Sequence, residues 1–289
     1  MSTNNILVTG GNGQLGSEIK RIAPLYKDLN FVFTDVDTLD ITDEGALDKF
    51  VESQNIKYII NCAAYTAVDK AEDESELCYK INRDAVRNIA VVAKKHSAKV
   101  IHISTDYVFD GTKKTPYVET DPVSPKSVYG KSKMEGEQAL TATCRDSIII
   151  RTAWLYSIYG NNFVKTMIKL GKERDSLNVV ADQTGTPTNA ADLAKSIIKI
   201  IEADKFTPGI YHFSNMGITT WYEFTVEIHR IAGITTCKVN PITTAEYPTK
   251  ASRPQYSVLD KTKIINTFAL TIPQWEDSLK ICIKELMQA

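Results

Sequence analysis

The sequence predicts an α/β protein: a doubly wound parallel sheet with a smaller C-terminal region that holds the substrate. Three observations predict it. The glycine-rich run Gly10-Gly11-Asn12-Gly13-Gln14-Leu15-Gly16 directly follows the first apolar run of the chain. From there to Arg151, short apolar runs alternate with stretches of helical period, the pattern of parallel strands joined by crossover helices. Beyond Arg151 the alternation weakens into polar and aromatic loops.

Asn5-Ile6-Leu7-Val8-Thr9 reads as a buried strand, and Leu15, Ile19 and Ile22 lie on one face of the helix that follows the glycines. Gly10 permits a tight turn, Gly13 lets the backbone approach a pyrophosphate, and Gly16 lets helix pack on strand. The helix N-terminus then offers unpaired N–H groups to phosphates. This is a Rossmann-type dinucleotide turn. Phe31-Val32-Phe33-Thr34 is the second strand, and Asp35 at its end can accept hydrogen bonds from ribose hydroxyls. A carboxylate there would repel a 2′-phosphate, which favours NADH over NADPH on electrostatic grounds alone.

Lys57-Tyr58-Ile59-Ile60-Asn61 is the third strand, and the small residues of Cys62-Ala63-Ala64-Tyr65 let a cofactor lie against the backbone. Asp84 to His96 is an amphipathic helix, and Lys99-Val100-Ile101-His102-Ile103 is the fourth strand, delivering Ser104-Thr105-Asp106-Tyr107 to the same sheet edge. A proline-punctuated loop from Thr115 to Pro125 leads into Tyr129-Gly130-Lys131-Ser132-Lys133, and Ser147-Ile148-Ile149-Ile150-Arg151 is the fifth strand. Gly209 to Phe213 reads as a late strand, Thr219-Thr220 caps a helix through Ala232, and Trp275 to Gln288 is a terminal amphipathic helix. The expected division is residues 1–152 plus about 189–214 for the dinucleotide, and 153–188 plus 215–289 for the substrate.

Tyr129 and Lys133, four apart on a helix, present a phenol beside an ammonium. Such a pair can protonate an alkoxide, because the cation stabilises the phenolate and lowers its pKa. With 13 tyrosines in the chain, about one such pair arises by chance. Its catalytic reading rests on Thr105 and the cofactor turn converging with it at one edge.

The 289 residues suffice for one large core or two coupled ones. A net charge of -1 argues against nucleic acid or an anionic membrane as partner, and no apolar run approaches the ~20 residues of a membrane span. Met1-Ser2-Thr3-Asn4-Asn5 does not read as a signal peptide. Five scattered cysteines without a CxxC imply free thiols in a reducing, cytoplasmic setting. The four histidines lack metal-ligand spacing, so no metal is expected, and His102 in its strand reads as structural. Trp154 reads either as a core residue or as a substrate contact.

The chain resembles the extended short-chain dehydrogenase/reductases, and among them the dTDP-4-dehydrorhamnose reductase family, nearly end to end. The resemblance is carried by the glycine turn, Asn61-Cys62-Ala63-Ala64-Tyr65-Thr66-Ala67-Val68-Asp69-Lys70-Ala71-Glu72, and Ser104-Thr105-Asp106-Tyr107-Val108-Phe109-Asp110-Gly111. Tyr129 to Lys133, Arg151-Thr152-Ala153-Trp154, Gly160-Asn161-Asn162-Phe163, Gln183-Thr184-Gly185-Thr186-Pro187-Thr188 and Ala251-Ser252-Arg253-Pro254 complete it. The resemblance implies a catalytic triad of Thr105, Tyr129 and Lys133. It implies NADPH or NADH held by Gly10, Gly11, Asn12, Gly13, Gln14, Leu15, Gly16, Asp35, Asp40, Ile41, Ala63, Ala64 and Tyr65, together with Tyr129 and Lys133. It also implies a dTDP-sugar touched by Thr105, Asp106, Tyr129 and Trp154, and reduction of the C4 ketone of dTDP-4-dehydro-L-rhamnose.

Two other readings follow from the same resemblance. The regulatory subunit of methionine adenosyltransferase is similar to this family and acts as an NADP-binding partner, not as a reductase. A sugar-nucleotide dehydratase would carry a glutamate after the Thr-Asp pair, where this chain has Tyr107. Some family members dimerise around magnesium held by glutamates. Glu18 matches one of these, but Ala191 stands at the second, and the C-terminal Lys284 to Ala289 offers no match to the third. The expectation is a monomer, with a dimer through a metal-free surface as the other possibility.

Overall fold

The computed structural model describes residues 4–288; Met1, Ser2 and Thr3 of the N-terminal stretch read above, and Ala289, lie outside the described residues. The first half carries β1 (Asn4–Thr9), β2 (Leu29–Phe33), β3 (Ile56–Asn61), β4 (Lys99–Thr105) and β5 (Ser147–Thr152). A late strand, β10 (Gly209–His212), returns from the second half and pairs with β5. The six strands are all parallel, in the order β10-β5-β4-β3-β1-β2. The order reverses between β1 and β3, and the loops leaving these two strands open a crevice at the carboxyl edge.

Successive residues of each strand feed different sides. Ile6, Val8, Tyr58, Ile60, Ile101, Ile148 and Ile150 pack on one face, and Leu7, Ile59, Val100 and Ile149 on the other. Both faces are apolar, as a parallel sheet requires. Each such side chain contributes about 1.5–3 kcal/mol when it leaves water. The first face is covered by α1 (Gln14–Ile22), through Leu15, Ile19 and Ile22, and by α8 (Ala190–Glu202). The second is covered by α2 (Glu44–Ser53), α5 (Ala85–Lys95) and α6 (Val128–Thr143).

The helix expected over Asp84–His96 is longer and not uniform. It begins after α3 (Val68–Ala71), with α4 (Ser75–Tyr79), passes through a π-helical turn at Lys80–Asp84, and continues as α5. The wide turn carries the buried Asn82, whose amide holds both the N–H and the carbonyl of Tyr65, at 2.9 and 3.0 Å.

A second apolar cluster lies in the later half. Tyr156, Val164, Phe224, Trp275 and Leu279 form it, on α7 (Phe163–Glu173), α9 (Trp221–Ala232), α11 (Trp275–Gln288) and the short strand β6 (Leu155–Tyr156). β6 pairs with β9 (Thr188–Asn189), β7 (Ser176–Val180) with β12 (Lys238–Ile242), and β8 (Thr184–Gly185) with β11 (Thr219–Thr220). α9 starts at a capping box in which Thr220 and Glu223 satisfy each other's backbone N–H groups. α10 (Thr262–Phe268) returns Ile264 and Phe268 to the sheet.

Candidate active site

The chain turns after β1 at Gly10, whose φ of +65° favours glycine. A Cβ at Gly10 would sit 2.7 Å from the backbone nitrogen of Ala63, and one at Gly16 would run into the carbonyl oxygen of Gly10. The loops after β1 and β3 therefore meet backbone to backbone, with α1 starting hard against the turn. Gly13 caps α1 without a side-chain hydrogen bond, so the first N–H groups of the helix stay open to an anion. These features fit the pyrophosphate of a dinucleotide. Beside the cradle, Asp35 Oδ2 accepts from the Asn12 N–H and Oδ1 from the Val36 N–H, both at 2.9 Å. Asp40 is exposed, and its bond from the Thr42 N–H holds its carboxyl below the usual range. Ile41 turns its side chain into the core, so a cofactor would meet only its backbone.

The loop at Ala63–Tyr65 is held from two sides. Asn61 Oδ1 accepts from the Thr9 hydroxyl at 2.7 Å and from the Ala63 N–H at 3.2 Å, while Asn82 grips Tyr65. The Tyr65 hydroxyl donates to Glu74 at 2.6 Å.

Helix α6 starts at Ser127, whose hydroxyl accepts from the Gly130 N–H at 3.1 Å, and places Tyr129 and Lys133 one turn apart. Thr105, at the end of β4, donates to Asp106 Oδ1 at 3.0 Å and accepts from the Tyr107 N–H at 3.2 Å, beside the Tyr129 side chain. The three residues expected to be catalytic thus share one site. Burial raises the Tyr129 pKa. Lys133 is 1 % exposed, and its Nζ donates to the Ile103 carbonyl at 2.6 Å; burial brings its own pKa down to about 8. Asp106 is also buried, Oδ2 has no hydrogen-bond partner among the described residues, and burial pushes its pKa up to about 6.

Tyr107 lies edge-on against Tyr129 at 5.5 Å between centroids, and its hydroxyl accepts from Arg253 at 2.9 Å. Arg253 also pairs with Asp69 at 2.5 Å. Beyond them opens a cleft of about 1000 Å³, lined in part by Phe163, Trp221, Arg174, Lys250 and Arg253. Trp154, read as a sugar contact, does not line this cleft. Its ring stacks on Trp221 at 3.5 Å with 12° between planes, and it backs the aromatic wall that Trp221 and Phe163 present. Phe163 and Arg253 stood in the motifs read from the sequence without this role, and Trp221, Arg174 and Lys250 were not found there, because these residues meet only in the fold.

Glu18, matched above to a magnesium ligand, is buried. It accepts from the Ser157 hydroxyl at 2.7 Å and pairs with Arg21 at 2.8 Å. The expectation that the C-terminal segment supplies no carboxylate here is also corrected, because Glu285 on α11 reaches Arg21 at 2.7 Å. Among the described residues, no three His, Cys, Asp or Glu side chains gather as a metal site, and no helix is long and apolar enough to cross a membrane. All five cysteines are unbridged.

Residues 4–288 match the family described as "RmlD substrate binding domain". The dTDP-4-dehydrorhamnose reductase of Aggregatibacter actinomycetemcomitans is 43% identical over 284 residues, covering 95% of this chain and 97% of its own. The chain belongs to the dTDP-4-dehydrorhamnose reductase family. The crystal structure of a dTDP-4-dehydrorhamnose reductase from Clostridium acetobutylicum, 47% identical, superposes with a TM-score of 0.93 over 99% of this chain and 100% of that one. A second member of this reductase family, from Bacillus anthracis, was solved in complex with NADP; it is 40% identical, with a TM-score of 0.94 over 98% of this chain and 99% of that one.

Proposed function

We infer that the chain reduces the C4 ketone of dTDP-4-dehydro-L-rhamnose to dTDP-L-rhamnose, using NADPH or NADH. Membership of the reductase family supports this, and so does one feature of the site. Thr105, Tyr129 and Lys133 converge at the carboxyl edge of a sheet whose switch point forms a dinucleotide cradle.

The backbone of Gly10–Gly16 and of Ala63–Tyr65 would hold the cofactor, with Asp35 toward the adenosine ribose. When bound, the reduced nicotinamide supplies the hydride. Tyr129 donates its proton to the ketone oxygen as charge develops there, and Thr105 holds that oxygen by a hydrogen bond. The unpartnered Asp106 Oδ2 accepts a sugar hydroxyl. Arg174, Lys250 and Arg253 face one cleft and suit the diphosphate of a nucleotide sugar. Tyr107 bonds Arg253 and brings no carboxylate, which speaks against water elimination of the dehydratase kind. We assign residues 1–152 and about 189–214 to the cofactor, the remainder to the sugar nucleotide, and the site of action to the cytoplasm.

The test is the purified chain with dTDP-4-dehydro-L-rhamnose and each reduced cofactor, followed by loss of nicotinamide absorbance. Ketone-dependent oxidation is expected with both. Cofactor binding without oxidation in either case overturns the reading and leaves a regulatory, non-catalytic subunit.

A further inference from the structure

Asp69 stands on α3, shortly after the Ala63–Tyr65 loop, yet both its oxygens reach residues near the end of the chain. Oδ1 accepts from the Ala251 N–H at 3.0 Å, and Oδ2 accepts from Arg253 Nη2 at 2.5 Å. Arg253 Nη1 donates to the Tyr107 hydroxyl at 2.9 Å. The guanidinium is thus pinned at two corners, one by α3 and one by the turn after β4. A planar fork held at two corners keeps its direction, and its remaining donors stay available to a ligand. Arg253 lines the cleft of about 1000 Å³. Tyr107 in turn lies edge-on against Tyr129, so the guanidinium stands one aromatic ring beyond the proton donor.

The backbone that carries Arg253 is held without this pair. Gly111, at a φ of +76°, packs so closely on Pro254 that a Cβ there would come within 2.6 Å of the Pro254 Cα. The Gly111 carbonyl accepts from the Tyr256 N–H at 3.2 Å, and the Gln255 carbonyl accepts from the Thr184 N–H at 2.8 Å. Lys250 pairs with Asp73 on the side of Asp69. What the Asp69 carboxylate adds is the orientation of the guanidinium. Its charge works against an anion in the cleft, because it stands beside a cation that would hold one. With 44 % of the Asp69 side chain exposed, that opposition is screened by water, and the gain in order outweighs it.

We propose that Asp69 is a positioning residue for the sugar nucleotide: it holds the Arg253 fork in the direction that receives the diphosphate. No bond is made or broken, and no proton moves. This inference rests on the reductase reading and names what orders its substrate.

Asp69→Asn leaves one acceptor oxygen where two are used. With that oxygen on the Ala251 N–H, an amide NH₂ faces Arg253 and frees the guanidinium. Charge alone would make this variant bind an anionic nucleotide more tightly, so the sign of the change decides. Calorimetric titration with dTDP is expected to show binding about three- to tenfold weaker than in the parent, as the loss of one pre-ordered, rotamer-rich side chain would cause. NADPH affinity, set at the cradle, should not change. In turnover, KM for the dTDP-sugar should rise by more than kcat falls. Asp69→Glu keeps the charge on a longer stem and should also weaken dTDP. Arg253→Lys keeps a cation without a fork, so adding Asp69→Asn to it should weaken dTDP no further. Equal or tighter dTDP binding in Asp69→Asn, or the same added loss in the Arg253→Lys background, overturns the positioning role. So does an equal loss of dTDP and NADPH, which marks a structural residue. A parent that binds dTDP without reducing the ketone overturns the reductase reading alone, and a parent that does not bind dTDP overturns both.

Discussion

Glu72 Oε1 accepts a hydrogen bond from the backbone N–H of Val128 at 2.9 Å, so a carboxylate from the loop between α3 and α4 seals the N-terminus of α6. The bond satisfies an orphan donor and sets a negative charge at the positive end of the helix that carries Tyr129 and Lys133. Glu72→Ala is expected to lower unfolding stability by about 1 kcal/mol. Glu72→Gln keeps the acceptor and should lose less. Urea titration checks both, and an unchanged midpoint for the alanine variant would show that the contact carries no stability.

Tyr129 sits near Thr105, where burial raises its pKa and keeps it protonated. Tyr129→Phe removes the donor and keeps the ring that packs against Tyr107. A loss of at least ~10²-fold in kcat is expected, the scale of general-acid catalysis, with an unchanged circular dichroism spectrum. Near-normal turnover in that variant would remove Tyr129 from the mechanism.

The six main strands were legible because each writes its pattern locally. Ile6, Leu7 and Val8 alternate between two apolar faces, and a buried strand between turn residues follows directly. Thr105, Tyr129 and Lys133 were legible as motif residues at one sheet edge. What stayed hidden depends on partners distant in the chain. Glu72 shows nothing in sequence of its bond to Val128, and Trp221 nothing of its stack on Trp154. The π-turn at Lys80–Asp84 also left no periodic mark, because it is set by Asn82 reaching across to Tyr65. Glu285 was overlooked for a similar reason. Only the packed position of α11 brings it to Arg21.

Asp106 links function to stability through pH. Its carboxyl stands at about 6 in the fold against 3.8 as the ordinary value, and burial is the leading cause. The folded chain therefore binds the proton more tightly than the unfolded one. Stability from this group is present below pH 3.8 and is lost as pH rises toward 6, which is the reverse of a salt-bridged aspartate. Asp106→Asn removes the charged form, keeps an acceptor for Thr105, and should raise the melting temperature at pH 7. The gain is on the order of 2 kcal/mol. The same change should weaken the sugar nucleotide at least tenfold in KM, because the open acceptor is lost. A variant that is no more stable at pH 7 than at pH 4, relative to the parent, would refute the assignment of this proton.

Arg21 stands between Glu18, matched in the sequence to a magnesium ligand, and Glu285, at 2.8 and 2.7 Å. A divalent cation needs several oxygen ligands, some of them charged, to offset its dehydration. Here the guanidinium occupies an oxygen of each carboxylate and offsets one of their two charges, Glu18 is further held by Ser157, and the buried Ala191 offers no ligand. The expected state is therefore a monomer whose activity and scattering mass do not change when EDTA is added. Arg21→Ala supplies the contrast. It leaves Glu18 buried without its cation, and stability should fall by about 1–3 kcal/mol, discounted because Arg21 is partly exposed. Magnesium should raise the melting temperature of that variant and leave the parent unmoved. A parent dimer that dissociates and loses activity with EDTA would show that the ion, and not Arg21, bridges these carboxylates.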